Sequence, residues 1–286
     1  MTAISALTVD TVTRDPRRRS VNLTVGLVLV GIIVLTALVS LVYLPYPPSD
    51  TSGSRLAGPS IQHWVGTDEL GRDLLTQLMI GARIALAAGG GSVALGAVLG
   101  VIVGLAAAFA SRWLDDTISA ILDILIAFPT LLLAMLVIAA RGASLGSAIL
   151  AIGIAMSAIV ARLTRILAKR VLSQDYITAA RTSGSGWLSV ILQHVLPNVW
   201  PTVLVNLALQ FGLAVLAEAS LSYLGLGAPP PNASWGRMLE EAQGTVYTAP
   251  LGAIVPGLLL VVLVVGINLL ADGLRDIGDP TRRGRR

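Results

Sequence analysis

Two histidines, one lysine and no cysteine narrow the chemistry open to this 286-residue chain. His63 and His194 stand far apart in sequence, and without thiolates they do not supply the ligand sets that hold structural or catalytic zinc. Lys169, the single lysine, follows Ala168 rather than glycine. A phosphate-cradling G-x-x-x-x-G-K-[ST] loop is therefore absent, and the chain hydrolyses no ATP through such a loop of its own. What remains is a set of polar side chains inside otherwise apolar stretches: Asp123, Asn206, Gln210, Glu218 and Asn268. Such groups are costly in hydrocarbon and face a bundle interior, a partner or water. Asn206 and Gln210, four apart on one helical face, point together at a neighbouring helix or a lumen, and they are the first candidates to line a path. Asp123 either contacts a polar solute directly or, as the plainer reading, snorkels inward or pairs with a basic residue at the inner interface. Glu218 either lines an outer gate or is solvated, and Asn268 is equally open. An intramembrane enzyme needs a nucleophile–base pair or a metal cluster at membrane depth. A proton-coupled carrier needs an acid–base relay or inverted repeats. One mid-span acid and no repeat provide neither.

The elements that position these groups are membrane spans. The chain is 55% hydrophobic and 13% charged, with a mean hydropathy of +0.80, whereas soluble domains carry roughly 25% charged residues. A helix crossing a bilayer needs about 20 apolar residues. The ranges 21–44, 84–110, 117–140, 145–161 (continuing towards 167), 198–217 and 251–271 meet this, and predict six spans in an all-α polytopic fold. The first is expected to remain in place, since it is too long for a cleavable signal and no small-residue cleavage site follows it. Six spans put both termini on one side. Fifteen of the twenty basic residues then fall on that side, among them Arg14, Arg17, Arg18, Arg19, Arg282, Arg283, Arg285 and Arg286, which predicts cytoplasmic termini. The tails are expected at anionic headgroups; no aromatic residues interleave with their arginines as nucleic-acid binding would favour. The second span carries Gly96, Gly100 and Gly104, with Ser92 before them, a small-residue stripe for close helix approach. Pro129 should kink the third span.

The connections are uneven. An outer loop contains Gly66-Thr67-Asp68-Glu69-Leu70-Gly71-Arg72-Asp73. Thr67 as cap, acids in the first turn, and Leu70, Leu74 and Leu78 on one face predict an amphipathic helix leading into the second span. Another outer loop, 220–249, holds Pro229-Pro230-Pro231 and Trp235 and is long enough to meet a partner or gate the path. The longest inner connection, 162–196, predicts a short helix capped by Ser173 or Asp175 and exposing Ala179 and Ala180. Gly184 and Gly186 break it, a second helical piece follows, and Pro197 opens the fifth span.

This last stretch resembles the E-A-A-x3-G-x9-I-x-L-P signature of ABC-importer permeases. Here it reads Thr178-Ala179-Ala180, three residues, Gly184, nine residues, then His194-Val195-Leu196-Pro197. The spacing is kept; Thr178 replaces the glutamate and His194 the isoleucine, while Asp175 and Arg181 stay nearby. The segments 66–73, 123–129, 218–227 and 270–276 are similar to the C-type subunit of dipeptide and oligopeptide importers, and the resemblance covers nearly the whole chain after about residue 20. It implies a type I ABC-importer fold of six helices (21–272, with a coupling loop at about 168–197) between basic cytoplasmic tails (1–20 and 273–286). It further implies a multi-pass, non-catalytic subunit of a bacterial plasma membrane. A second permease chain would complete the path, and two cytoplasmic ATPases would carry the ATP and Mg that this chain lacks. A solute-binding protein would bring the peptide to the outer face, where Asp68, Glu69, Arg72, Asp73 and Trp235 are the candidate contacts. The ATPases would seize the 178–197 loop. The same build for nickel chelates or modified peptides is the alternative.

Overall fold

The computed structural model describes residues 16–278. Its regular elements are helices: α1 (Pro16–Val42), α2 (Leu74–Phe109), α3 (Arg112–Ala127), α4 (Thr130–Arg141), α5 (Leu145–Leu172), α6 (Asp175–Thr182), α7 (Trp187–Val190), α8 (Leu196–Tyr223), α9 (Trp235–Glu241) and α10 (Leu251–Gly278). A π-helical turn, Ile191–Val195, joins α7 to α8, and a 3-10 turn, Ala242–Gly244, follows α9. Arg14, Arg282, Arg283, Arg285 and Arg286 lie outside the described residues.

Among the described residues, five helices are long and apolar enough to cross a membrane, within 21–42, 74–109, 145–172, 187–223 and 251–273. The third expected span departs from a single kinked helix. It is α3 followed by α4, bent by 92°. The cause is local: a proline drives the residue before it out of the helical region, and Phe128 is extended at φ −77, ψ 131. Counted together, α3 and α4 make the sixth span.

α5 is the centre of the packing. Over half of its most apolar window (56%) is buried, against 22% for α1 and for α10, which leaves the latter two as an outer pair. The glycine stripe of α2 admits a close helix neighbour, as its spacing predicts, and that neighbour is α5. A Cβ on Gly96 would come within 3.1 Å of the Met156 Cβ, and one on Gly100 within 2.6 Å of the Val160 Cβ. α1 and α10 also meet through glycine, Gly26 beside Leu270 and Gly273 beside Leu23. The start of α1 and the end of α10 therefore share a side, here the termini side. α2 starts beside the end of α1, where Arg83 Nη2 donates to Ser40 O, so its far end lies on the termini side. Phe109 against Trp187, and Asp115 against Lys169, bring the start of α7, the end of α5 and the start of α3 there too. The loops 43–73 and 224–250 lie opposite.

The expected amphipathic helix at Thr67 does not form; α2 begins only at Leu74. Asp68 accepts hydrogen bonds from the backbone N–H of Leu70 and Arg72 (both 2.8 Å), and Gly71 sits at φ +81. That left-handed residue closes a turn instead of continuing a helix. Thr67 does not cap: its hydroxyl donates to the Ser54 carbonyl and accepts from Ala57 N–H. The cap is Asp73, whose Oδ2 accepts from Thr76 N–H (2.8 Å) and from the Thr76 hydroxyl (2.9 Å). Leu70 is consequently 60% exposed while Leu74 and Leu78 are core.

Candidate functional site

The inner connection folds into a knob on the termini side. α5 ends at Leu172, and α6 starts after Gln174. Gln174 takes the cap position without a side-chain bond, in place of Ser173 or Asp175, and Asp175 falls in the first turn. Ile177 is 3% exposed and anchors α6 in a cluster with Val160, Ala168, Val190, Val195 and Val199. That anchoring turns Asp175, Thr178, Ala179 and Thr182 outward, while Ala180 and Arg181 are half-buried. Gly184, at φ +91, ends the helix, with Ser183 N–H bonded to Ala179 O and Ser185 N–H to Ala180 O. Arg181 then locks the turn: Nη1 donates to Ser185 O (2.5 Å) and the guanidinium lies 4.1 Å from the Trp187 ring centre, a cation–π distance. Trp187 in turn meets Phe109 edge-on at 5.4 Å.

Pro197 stands in the first turn of α8, as expected, but the helix before it is not interrupted. Residues 187–223 run on as one helical stretch, with the π turn immediately before the proline and Leu196 N–H bonded to Ile191 O. Proline removes one backbone donor and crowds the preceding turn; a wider turn accommodates both effects. His194 packs beside the Tyr176 ring, and its carbonyl accepts from Asn198 Nδ2. The result is a face of small groups (Thr178, Ala179, Thr182, Gly184) flanked by exposed Tyr176, Trp187, Leu188 and Leu192. Sequence reasoning misses these four as contact residues. Leu188 and Leu192, four apart yet both outward, were the available signal.

A second arrangement on this side is invisible in the apolar pattern. Asp115, in the first turn of α3, is buried and accepts from Arg165 Nε (2.5 Å) and Nη2 (2.8 Å), and also pairs with Lys169. Asp123 pairs with Arg162 at 3.0 Å, both half exposed, which decides between its two readings in favour of a basic partner. Asn206 and Gln210 share a face, but Gln210 is 4% exposed and Asn206 Oδ1 is buried with no hydrogen-bond partner. The face is thus buried at Gln210 and half-buried at Asn206. Glu218 is not solvated: it is 2% exposed and accepts from the Ser222 hydroxyl (2.5 Å). Asn268 is exposed.

On the opposite side, a cleft of about 560 Å³ lies between the 67–77 segment, α9 and the start of α10. Asp68, Glu69, Glu240 and Glu241 line it with Arg72, above a floor that includes Leu74 and Met238. Arg72 bridges the two walls, bonding Asp68 (2.6 Å) and Glu241 (2.7 Å), and Gln77 also donates to Asp68. Glu69 is half-buried and Glu240 exposed. Two expected outer contacts are corrected. Trp235 is 1% exposed, packed on Gly81 with Nε1 donating to Leu78 O (3.0 Å), so it holds α9 to α2. Asp73 is buried, occupied by the α2 cap and by His63 Nδ1 at 3.0 Å. Neither lines the cleft.

The model of the family described as binding-protein-dependent transport system inner membrane component matches residues 96–284. The chain is 38% identical over 260 residues to the dipeptide transport system permease protein DppC of Alkalihalophilus pseudofirmus, covering 89% of this chain and 86% of that protein. It is 40% identical over 227 residues to the glutathione transport system permease protein GsiD of Escherichia coli, covering 79% and 75%. In structure it is similar to the inward-facing methionine ABC transporter MetNI, with a TM-score of 0.60 at 23% identity over 71% of this chain and 97% of that one. That likeness is one of fold.

Proposed function

The chain belongs to the family of binding-protein-dependent transport system inner membrane components, multi-pass subunits of ABC importers in the bacterial plasma membrane; from this premise we propose that it forms half of a path for di- and oligopeptides. A second permease chain encloses the other half. Two cytoplasmic ATPases bind ATP and Mg and grip the knob, and a solute-binding protein delivers the peptide. The termini side is then cytoplasmic, in keeping with its share of arginine. The observation that carries the reading is the knob itself: α6, ended by a left-handed glycine, presents small side chains on a core-anchored base. A chain without a phosphate loop has to receive its energy through such a contact. Exposed Asn268 and half-buried Asn206 are the groups left to face the path, Asp123 being paired with Arg162, and Gln210 and Glu218 buried within the subunit.

Peptide cargo is supported by the names of the dipeptide and glutathione relatives, and the second of these keeps modified peptides as the alternative. The test is the four-component transporter in proteoliposomes, with labelled dipeptide, pentapeptide, glutathione and a nickel chelate offered in turn. ATP-driven dipeptide or pentapeptide uptake that a protonophore leaves intact is expected. Uptake by this subunit alone, or uptake abolished by the protonophore while ATP remains, overturns the reading.

The outer cleft is the docking surface for the binding protein in this scheme. Glu69→Lys with Glu240→Lys reverses its two least-engaged charges and should weaken stimulation of ATP hydrolysis by the binding protein about tenfold. Rim charges act chiefly on association and are screened by salt, so the deficit should shrink at high ionic strength while basal hydrolysis stays unchanged. Titrating the binding protein against ATPase rate at two salt concentrations measures it.

A further inference from the structure

α5 carries three cations on the side that faces α3, Arg162, Arg165 and Lys169, and α3 meets them with Asp123 and Asp115. The Asp115 carboxylate, 8% exposed, takes the Arg165 guanidinium through two hydrogen bonds, Nε at 2.5 Å and Nη2 at 2.8 Å, with the Lys169 ammonium against it. Two-pronged guanidinium–carboxylate contacts fix orientation as well as distance. The place of this clamp matters. Lys169 stands in the last turn of α5, one short link before α6 begins at Asp175, and Asp115 stands in the first turn of α3. Apolar contact between the two helices runs along α3, with Leu122 set against Ala158 and Ala161 and Ile118, Leu125 and Ile126 packed around them. The first turn of α3, before Ile118, is tied to α5 by the Asp115 ion pairs. Beyond the 92° break, α4 grips a different stretch of α5, with Ala134 and Ile138 among Ala148, Ile152 and Met156.

We infer that Asp115 is a positioning residue for energy coupling: through Arg165 and Lys169 it makes α3 move with the end of α5 and so with the knob, while the Phe128–Pro129 break lets α4 respond separately. This rests on the importer reading above. Movement of α6 is handed to the end of α5 through the short Ser173–Gln174 link, and from α5 to α3 through charge. A subunit lacking the clamp still docks to the ATPases and still permits hydrolysis, but the stroke reaches the path incompletely.

The experiment compares wild type and Asp115→Asn in the complete reconstituted transporter, reading peptide uptake and ATP hydrolysis together. Expected is normal assembly, near-normal hydrolysis, and a rise of roughly tenfold in ATP spent per peptide, within the range of single coupling energies. Uptake and hydrolysis falling together in step with assembly yield would show a merely structural role and overturn the inference, as would an unchanged ratio. Because Asp115→Asn removes a buried charge partner, a second arm uses the cysteine-free background. Asp115→Cys with Lys169→Cys should be poorly coupled when both thiols are free and recover when a short bifunctional reagent bridges them; no recovery on bridging overturns the inference. A wild-type complex with no ATP-driven uptake would overturn the importer reading and this inference with it, whereas an active wild type with an unaltered ratio in the variant overturns this inference alone.

Discussion

Ala179→Trp is expected to cut uptake by the assembled importer roughly ten- to hundredfold while the subunit remains in the membrane at wild-type level. Ala179 is exposed on α6, so an indole there strains nothing within this chain. Any loss has to come from the surface that receives the knob. Forcing a large side chain into a fitted contact costs about 1–3 kcal/mol, and each 1.4 kcal/mol is about a factor of ten in affinity. Gly184→Trp should be at least as damaging for two reasons. Its φ of +91 penalises any side chain, and the bulk adds to that. Gly184→Ala separates the two, since a Cβ at this position meets nothing within 4 Å and the variant carries strain without bulk. Ala180→Trp is less clean, because Ala180 is half-buried and its loss mixes docking with packing. Co-purification of the ATPases with each variant, alongside uptake, reads the effect; normal uptake by Ala179→Trp would remove the knob from the coupling route.

The spans were legible because their signal is one-dimensional. An uncharged run long enough to cross hydrocarbon needs no knowledge of its neighbours, and five such helices stand where the pattern puts them. The glycine stripe was legible for the same reason, its spacing being a property of one helix. The knob was legible through the left-handed Gly184, which the chain needs locally to end α6. What escaped depends on pairs distant in sequence. Asp115 belongs to no sequence motif, and its role emerges only when the fold brings it to Arg165 and Lys169. Trp235 reads as an exposed interfacial aromatic until Gly81 opens a slot for it on α2. The segment after Gly66 misled because its capping signal was satisfied in another way: Asp68 folds a turn around Gly71 and leaves Asp73 to start the helix. Asn206 and Gln210 share a face as their spacing requires, yet spacing alone does not say whether that face turns to a lumen or to a neighbouring helix.

Closing the bundle by glycine rather than by interlocking large side chains has an energetic reason that yields the last expectation, Gly100→Leu abolishing the folded subunit. Lipid tails are as apolar as leucine, so helices gain little by hiding apolar side chains from them, and association relies on close packing. On α2 that closeness is set by residue size. A Cβ at Gly96 would lie 3.1 Å from the Met156 Cβ, at Gly100 2.6 Å from the Val160 Cβ and 2.8 Å from the Ser157 carbonyl oxygen, and at Gly104 2.5 Å from the Ala161 carbonyl oxygen. The first clash is eased by a small adjustment. The last two involve backbone or a β-branched Cβ, which do not swing aside. Gly96→Ala should therefore be mild, and Gly100→Ala and Gly104→Ala severe, with Gly100→Leu beyond rescue at a cost of at least about 3 kcal/mol. Gly31→Leu on α1 is the control, since a Cβ there meets nothing within 4 Å and exposed substitutions usually stay within about 0.5 kcal/mol. Yield of monodisperse protein in detergent and its melting temperature rank the five variants. An equal loss at Gly31 and Gly100 would mean that helix propensity, not the α2–α5 seam, sets the stability of this fold.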